Sequence, residues 1–184
     1  GNFDEITGGA TAALTGNPDN YKINIAYYNR ARDAMFDAVD QLVADGHKDI
    51  YIPGYIGWSP REGSGIFDPL NSISGLRRHY YRMTSVLSID VQNLEDILTD
   101  HSILLLVNYF GFRDKKMDEI IEVAHQRGCV VIEDNAHGFY TYFVCGKRES
   151  DVTFFSLHKM FPFKEGGALI VDRNIDVKPK RNTR

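Results

Sequence analysis

What this sequence lacks narrows the field before any motif is read. Its apolar runs fall short of the ~18 residues that a membrane-crossing helix requires, and no signal peptide opens it. Cysteine is scarce. Cys129 and Cys145 make no disulfide framework, and Cys129 opens an apolar run as a buried thiol would, so a reducing, cytoplasmic setting is expected. Neither sign of charge prevails: the net charge is −4 with both signs interspersed, and no basic face offers itself to nucleic acid. Internal repeats and low-complexity tracts are absent. No G-x-G-x-x-G follows any strand, which sets a nucleotide-binding Rossmann domain far back. Metal ligands are poorly supplied too. Glu133, Asp134 and His137 stand close together, but no second histidine lies at ligand spacing.

What is present is ordinary globular material, 184 residues of which 43% are hydrophobic and 25% charged. That length suffices for one domain with a sizeable core, or one domain and part of another. Residues 1–28 read as a glycine-rich, irregular arm, with GGATAALTG and GNPDN as turn material. From Asn29 apolar residues recur at helical spacing (Ala31, Ala34, Met35, Ala38, Val39, Leu42, Val43), with Asn29 as the N-cap and Gly46 closing the helix. Ile50–Pro53 is a short strand, followed by a loop that carries Tyr55 and Trp58. Gly65–Leu70 and His79–Met83 are weaker strand candidates, and the residues between them read as a loop with a turn of helix. Asp90 precedes a short helix, VQNLEDIL. Ser102–Val107 is almost wholly apolar, as a parallel strand covered on both faces would be. Asp114 caps a helix that buries Met117, Ile120, Ile121 and Ala124. Cys129–Ile132 is the next buried strand, and Glu133-Asp134 is its polar end. Residues 173–184 read as a polar, mobile tail. Strands alternating with helices at this interval predict an α/β fold with a mostly parallel sheet.

The chain is organised around Asp151–Val171, DVTFFSLHKMFPFKEGGALIV. Val152–Leu157 has the β-branched and aromatic make-up of a buried strand. It runs into a loop bearing Ser156, His158 and Lys159, after which Gly166-Gly167 open a second apolar run. In open α/β sheets ligands bind at the carboxyl edge, where such loops collect. Asp134 ends one strand and Lys159 lies just beyond the next, 25 residues on. If those strands are neighbours, about 4.8 Å apart, both side chains overhang one crevice. A carboxylate there keeps a heteroaromatic nitrogen protonated, and a partly desolvated lysine becomes a nucleophilic amine. Ser156 and the helix N-terminus at Ala31 and Arg32 supply phosphate donors. Trp58 or Tyr55 can lie flat against a ring. These are the parts that pyridoxal phosphate requires. Lys164 is a rival for the amine, but its place beside Glu165 is that of a solvated pair. His137 can equally be a hydrogen-bonded core histidine, and His158 can shape the loop without touching a ring.

From Asn29 to Val171 the sequence resembles the DegT-type pyridoxal-phosphate aminotransferases, which act on nucleotide-linked keto-sugars. VIEDNAHGF is similar to the family's strand-end acidic motif and FFSLHKMFPFKEGGALIV to its lysine loop and double glycine; LVNYFGF and IYIPGYIGW match more loosely. The resemblance implies a three-layer fold type I large domain over residues 29–172. It implies that Lys159 carries the cofactor, Asp134 partners the pyridine nitrogen, Ser156 contacts the phosphate and His137 lies near the ring hydroxyl. A homodimer is implied as well, with an amino donor and a keto-sugar nucleotide as small-molecule partners and no membrane or nucleic acid. The chain departs from the pattern in two ways. Asn29-Arg30-Ala31 stands where the family has a glycine before its helix, and the chain stops 17 residues after Gly167, where the family continues into a smaller domain. A shortened chain, a natural half-protein and one partner of a split enzyme are the expectations this raises. An aminotransferase or its cofactor domain is one functional class; a non-catalytic remnant serving association is the other. A dehydratase with the same cofactor is disfavoured, because such enzymes usually lack the lysine.

Overall fold

The computed structural model describes residues 24–57, 60, 63–145, 149–171 and 175–178. Seven strands form one sheet: β1 (Asn24–Tyr28), β2 (Asp49–Pro53), β3 (Arg77–Tyr81), β4 (Ile103–Val107), β5 (Val130–Asp134), β6 (Val152–Ser156) and β7 (Gly167–Val171). Their spatial order is β1-β7-β6-β5-β4-β2-β3. The pairs β2–β3, β2–β4, β4–β5 and β5–β6 are parallel, whereas β7 runs antiparallel to both β6 and β1. The mostly parallel α/β sheet expected from the sequence is therefore present. All five residues of β5, β6 and β7 are buried, as strands covered on both faces must be.

Alternation along the strands divides the core between two faces. On one face Ile50, Ile52, Ile103, Leu105, Val130, Ile132, Val152, Phe154, Leu169 and Val171 pack with Ala34, Met35, Ala38, Val39 and Leu42 of α1 (Ala31–Ala44). On the other, Leu104, Leu106 and Val131 meet α4 (Met117–Gln126) through Met117, Ile120, Ile121 and Ala124, with Leu94 of α3 (Val91–Ile97) beside them. Farther along that face Phe155, Ala168 and Ile170 pack against Tyr142 of α5 (Phe139–Cys145). Helix, sheet, helix: three layers.

Several elements differ from the sequence reading. Asn24–Tyr28, in the span taken as an irregular arm, is a strand, because β7 offers it a full antiparallel ladder. The N-cap of α1 is Arg30, one residue later than Asn29. Gly65–Leu70 is not a strand. Phe67–Asn71 is a short helix, α2, because the Ser64 hydroxyl accepts the Ile66 and Phe67 amides (3.3 and 3.0 Å) and Asp68 accepts the Ser64 amide (3.1 Å). Such side-chain caps start a helical turn where strand propensity is weak. The strand read at His79–Met83 lies two residues earlier, at Arg77–Tyr81. Asp114 accepts the Lys116 amide at 2.9 Å, but α4 itself begins at Met117, with Lys116 at its cap. Helix α5 had no counterpart in the reading. Its aromatic sequence looks strand-like, and packing on Phe155 overrides that preference, with ring centroids of Phe139 and Tyr142 5.6 and 5.1 Å away. Within the expected mobile tail, Ile175 and Val177 pack on the α1 face, and the Lys178 amide donates to Gln41 at 2.9 Å.

Helix α1 is pinned to the sheet at its first turn. A β-carbon on Gly167 would lie 2.4–2.6 Å from the Arg30 carbonyl and the Ala31 nitrogen, so only glycine allows the helix start to touch β7. Gly167→Ala is expected to cost roughly 1–3 kcal/mol, the range for overpacking. Gly57→Ala, where nothing lies within 4 Å, should stay within about 0.5 kcal/mol of the parent. Urea unfolding of the two variants measures the difference.

Candidate active site

The register of β5, β6 and β7 assembles the site. Asp134 pairs with Phe154 on the neighbouring strand, and Ser156, two residues on, pairs with Gly167. Asp134 continues the alternation of Val130 and Ile132, and Ser156 that of Val152 and Phe154, so both lie on the α1 face. Tyr28 also pairs with Gly167, which brings the end of β1, and with it the start of α1, to the same edge. Lys159 follows Ser156 in a short 3-10 turn, Leu157–Lys159. Carboxylate, hydroxyl, amine and helix N-terminus thus converge on one rim of the sheet, made by the carboxyl ends of β5, β6 and β1 with the amino end of β7 between them.

The electrostatics agree with that placement. Burial pushes the Asp134 carboxyl up to about 6, opposed by the Ala136 amide and by the positive charge of Lys159 and reinforced by Glu133. The Ala136 amide donates to Asp134 Oδ1 at 2.8 Å. His137 is held below its ordinary value, first by partial burial and then by the charges of Lys159 and His158. Lys159 is thus close enough for its charge to act on both Asp134 and His137. The lysine is exposed. This corrects the expectation of a partly desolvated amine: the turn that carries it stands proud of the strand ends and has no covering element among the described residues.

One residue of the site was not singled out from the sequence. Tyr109 lies two positions past β4 in the 3-10 turn Tyr109–Gly111. Burial, then the negative charge of Asp134, then Tyr55 raise its phenol and keep it protonated. Its hydroxyl donates to the Tyr55 carbonyl, and the two rings meet edge-on at 5.8 Å. Tyr55, itself exposed, is thus held against Tyr109, whose phenol feels the charge of Asp134. Gly111, at φ +81°, is what lets this turn close on its neighbour: a β-carbon there would lie 2.6 Å from the His137 carbonyl. The signal available in the sequence was position alone, an aromatic just beyond a buried strand.

The remaining candidates fall as follows. Ala31 and Arg32 form the first turn of α1, which has no side-chain cap. The neighbouring Arg30 pairs with Asp33 at 3.2 Å and feels Glu165 from the lysine loop. Ser156 is buried, and its hydroxyl lies 3.1 Å from His158 Nδ1. His137 is exposed at the crevice rather than a core histidine. Lys164 is exposed in the loop before Gly166. Trp58 lies outside the described residues. Among the described residues no group of three or more His, Cys, Asp or Glu side chains could hold a metal ion.

The profile of the DegT/DnrJ/EryC1/StrS aminotransferase family matches residues 83–179, more than half of the sequence, and the chain belongs to that family. No curated protein sequence matches it. The sugar aminotransferase CalS13 from Micromonospora echinospora is 13% identical with a TM-score of 0.65, over 95% of this chain and 47% of that one. The putative sugar aminotransferase Spr1654 from Streptococcus pneumoniae, in its PMP form, is 16% identical with a TM-score of 0.67, over 96% and 47%. The cysteine desulfurase CsdA from Escherichia coli is 19% identical with a TM-score of 0.66, over 91% and 43%. The fold is that of the fold type I pyridoxal-phosphate enzymes, and the chain spans under half the length of these structures.

The donor set fits such a cofactor. A buried carboxylate opposite an amine, an uncapped helix start beside a buried hydroxyl, and an aromatic wall are what a pyridine ring with an aldehyde and a phosphate needs.

Asp134 also writes a pH signature into stability. Its carboxyl ordinarily titrates near 3.8 and in the folded chain near 6. The folded chain thus holds a proton that the unfolded chain releases. That contribution is complete below the lower value and lost as pH rises through the upper one, up to about 3 kcal/mol. In the cofactor-free chain, Asp134→Asn should match the parent near pH 4 and exceed its stability by about 1–3 kcal/mol at pH 8. Urea unfolding across that range, read as variant minus parent, checks it.

Proposed function

We propose that this chain is the cofactor-binding domain of a pyridoxal-phosphate-dependent aminotransferase acting on a nucleotide-linked keto-sugar. The observation that carries the reading is the parallel pairing of β5 with β6, which brings the buried Asp134 and the turn bearing Lys159 to one rim of the sheet beside the start of α1. Family membership supports the reaction class. The sugar substrate draws on two structural neighbours that are described as sugar aminotransferases, one of them putatively. The proposal extends to a cytoplasmic homodimer that takes an amino acid as donor.

When bound, pyridoxal phosphate supplies an electrophilic aldehyde and a ring able to store an electron pair. The Lys159 amine is the nucleophile toward that aldehyde. As a free amine, Lys159 would be the base that takes the donor's α-proton and the acid that returns it. Asp134 would accept a hydrogen bond from the ring N–H of the bound cofactor and keep that proton in place. A carboxyl with a value near 6 is largely ionised at pH 7 and above, and a cationic partner lowers it further. Ser156 and the first amides of α1 receive the phosphate. Tyr109, with Tyr55 packed edge-on against it, would supply an aromatic face toward the ring. His137, whose lowered value leaves it neutral at pH 7, presents a ring nitrogen at the crevice mouth.

The test is covalent trapping. The chain is incubated with pyridoxal phosphate, reduced with borohydride and mapped by peptide mass spectrometry. One pyridoxyl group is expected at Lys159, and Lys159→Ala should lose it. Asp134→Asn should still be trapped, yet its half-reaction with an amino donor should slow by roughly 100-fold or more, about 2.7 kcal/mol. Label at Lys164 instead, or none, overturns the assignment. Label at Lys159 without any half-reaction favours the non-catalytic reading.

A further inference from the structure

Asn108 stands immediately after β4 and is almost wholly buried. Its side-chain nitrogen lies 2.6 Å from Glu133 Oε1 and 2.6 Å from Asn135 Oδ1, so a single amide group spans the two residues that flank Asp134. Its backbone amide donates to the Asp134 carbonyl at 3.0 Å. Both side-chain neighbours of the nitrogen are acceptors, which fixes the orientation of the Asn108 amide. Turning it over would set its oxygen against a carboxylate and a second carbonyl. Asn135 in turn is held to β6, its amide donating to the Phe154 carbonyl at 3.0 Å, and its own carbonyl accepts the Gly138 amide at 2.9 Å. The turn that supplies the Ala136 amide to Asp134, and that carries His137, is anchored through this residue.

We propose that Asn108 is a positioning residue: by clamping Glu133 and Asn135 with one amide nitrogen, it fixes the aim of the Asp134 carboxylate into the crevice that Lys159 faces. The clamp is built from this chain's own contacts; its catalytic meaning rests on the reading of Asp134 as the partner of the ring nitrogen. The groups that act on Asp134 are Glu133 and the Ala136 amide from its own segment, Lys159 from the turn after β6, and Tyr109 from the turn after β4. Removing the Asn108 donor acts on two of them in the same direction. The Glu133 charge loses a hydrogen-bond donor that disperses it. The 135–138 turn loses an anchor, which weakens the Ala136 hydrogen bond. Both changes disfavour the ionised form of Asp134.

The test follows the Asp134 carboxyl carbon by 13C NMR in a pH titration of the cofactor-free chain. Asn108→Asp keeps the shape while replacing the donor by an acceptor, and Asn108→Ala removes it. Each is expected to move the Asp134 midpoint upward by about half a pH unit or more. Glu133→Gln should move it downward, because a like charge is lost. In the parent chain, which needs no variant to fold, the Asn108 side-chain NH2 signals should shift with the same midpoint as Asp134. An unmoved midpoint in a folded variant, even one with a lowered Tm, means a purely structural asparagine and overturns the proposal. Asn108 NH2 signals indifferent to the Asp134 titration overturn it equally. Failure of borohydride trapping at Lys159 is a separate result: it would remove the cofactor reading and leave the Asn108 clamp standing.

Discussion

The parallel pairing of β5 with β6 is the constraint on which everything else at the active edge depends. It makes two polar positions, 25 residues apart in sequence, into neighbours on one rim. Because alternate side chains share a face, the same ladder decides that Asp134 and Ser156 look toward α1 and not toward α4. A slip of one residue would turn Asp134 toward the opposite layer, where Glu133 now sits with Asn108 and near Arg113. The hydrophobic runs on both sides prevent that slip. Val130, Ile132, Val152 and Phe154 would have to exchange partners with Val131, Thr153 and Phe155, in a core already packed on both faces.

Much of this arrangement is legible in the sequence, and the reasons are physical. Strands buried on both faces, such as Ile103–Val107 and Val152–Ser156, announce themselves as unbroken apolar runs, and α1 and α4 show a clean helical period. The site followed from those strands, since their ends specify an edge. The misreadings share one cause: the deciding partner was remote. Asn24–Tyr28 has no distinctive pattern and is a strand only because β7 runs beside it. Phe139–Cys145 is helical because aromatic rings find Phe155 beneath them. Asn108 gives no sign in the sequence of its contacts, because a lone asparagine after a strand is ordinary and its two acceptors are remote, Glu133 on β5 and Asn135 just past its end. The exposure of Lys159 likewise depends on what covers it, which no local spacing reports.

The carboxylate at the centre carries an energetic tension. Burial opposes its charge, and among the described residues the Ala136 amide and the charge of Lys159 offset that opposition. A protonated ring nitrogen would add the missing counter-charge. A group that is poorly accommodated alone and well accommodated with its ligand links binding to folding, since any species that binds only the folded state stabilises it. Strain concentrated where a ligand must fit is a common signature of functional positions, and Asp134 has it in electrostatic form.

The far margin of the sheet has a consequence of its own. Among the described residues β3 is the last strand on its side, and two of its five residues are arginines, Arg77 ion-paired with Asp49 on the adjacent strand. An unpaired margin is a template for the backbone of another chain, and fixed guanidinium charges along it make lateral growth unfavourable. A mostly parallel sheet of this kind forms its long-range contacts slowly and exposes such margins while it does so. The arginines of β3 would thus guard the protein most during its own folding, when sideways recruitment of a second chain competes with completion of the first.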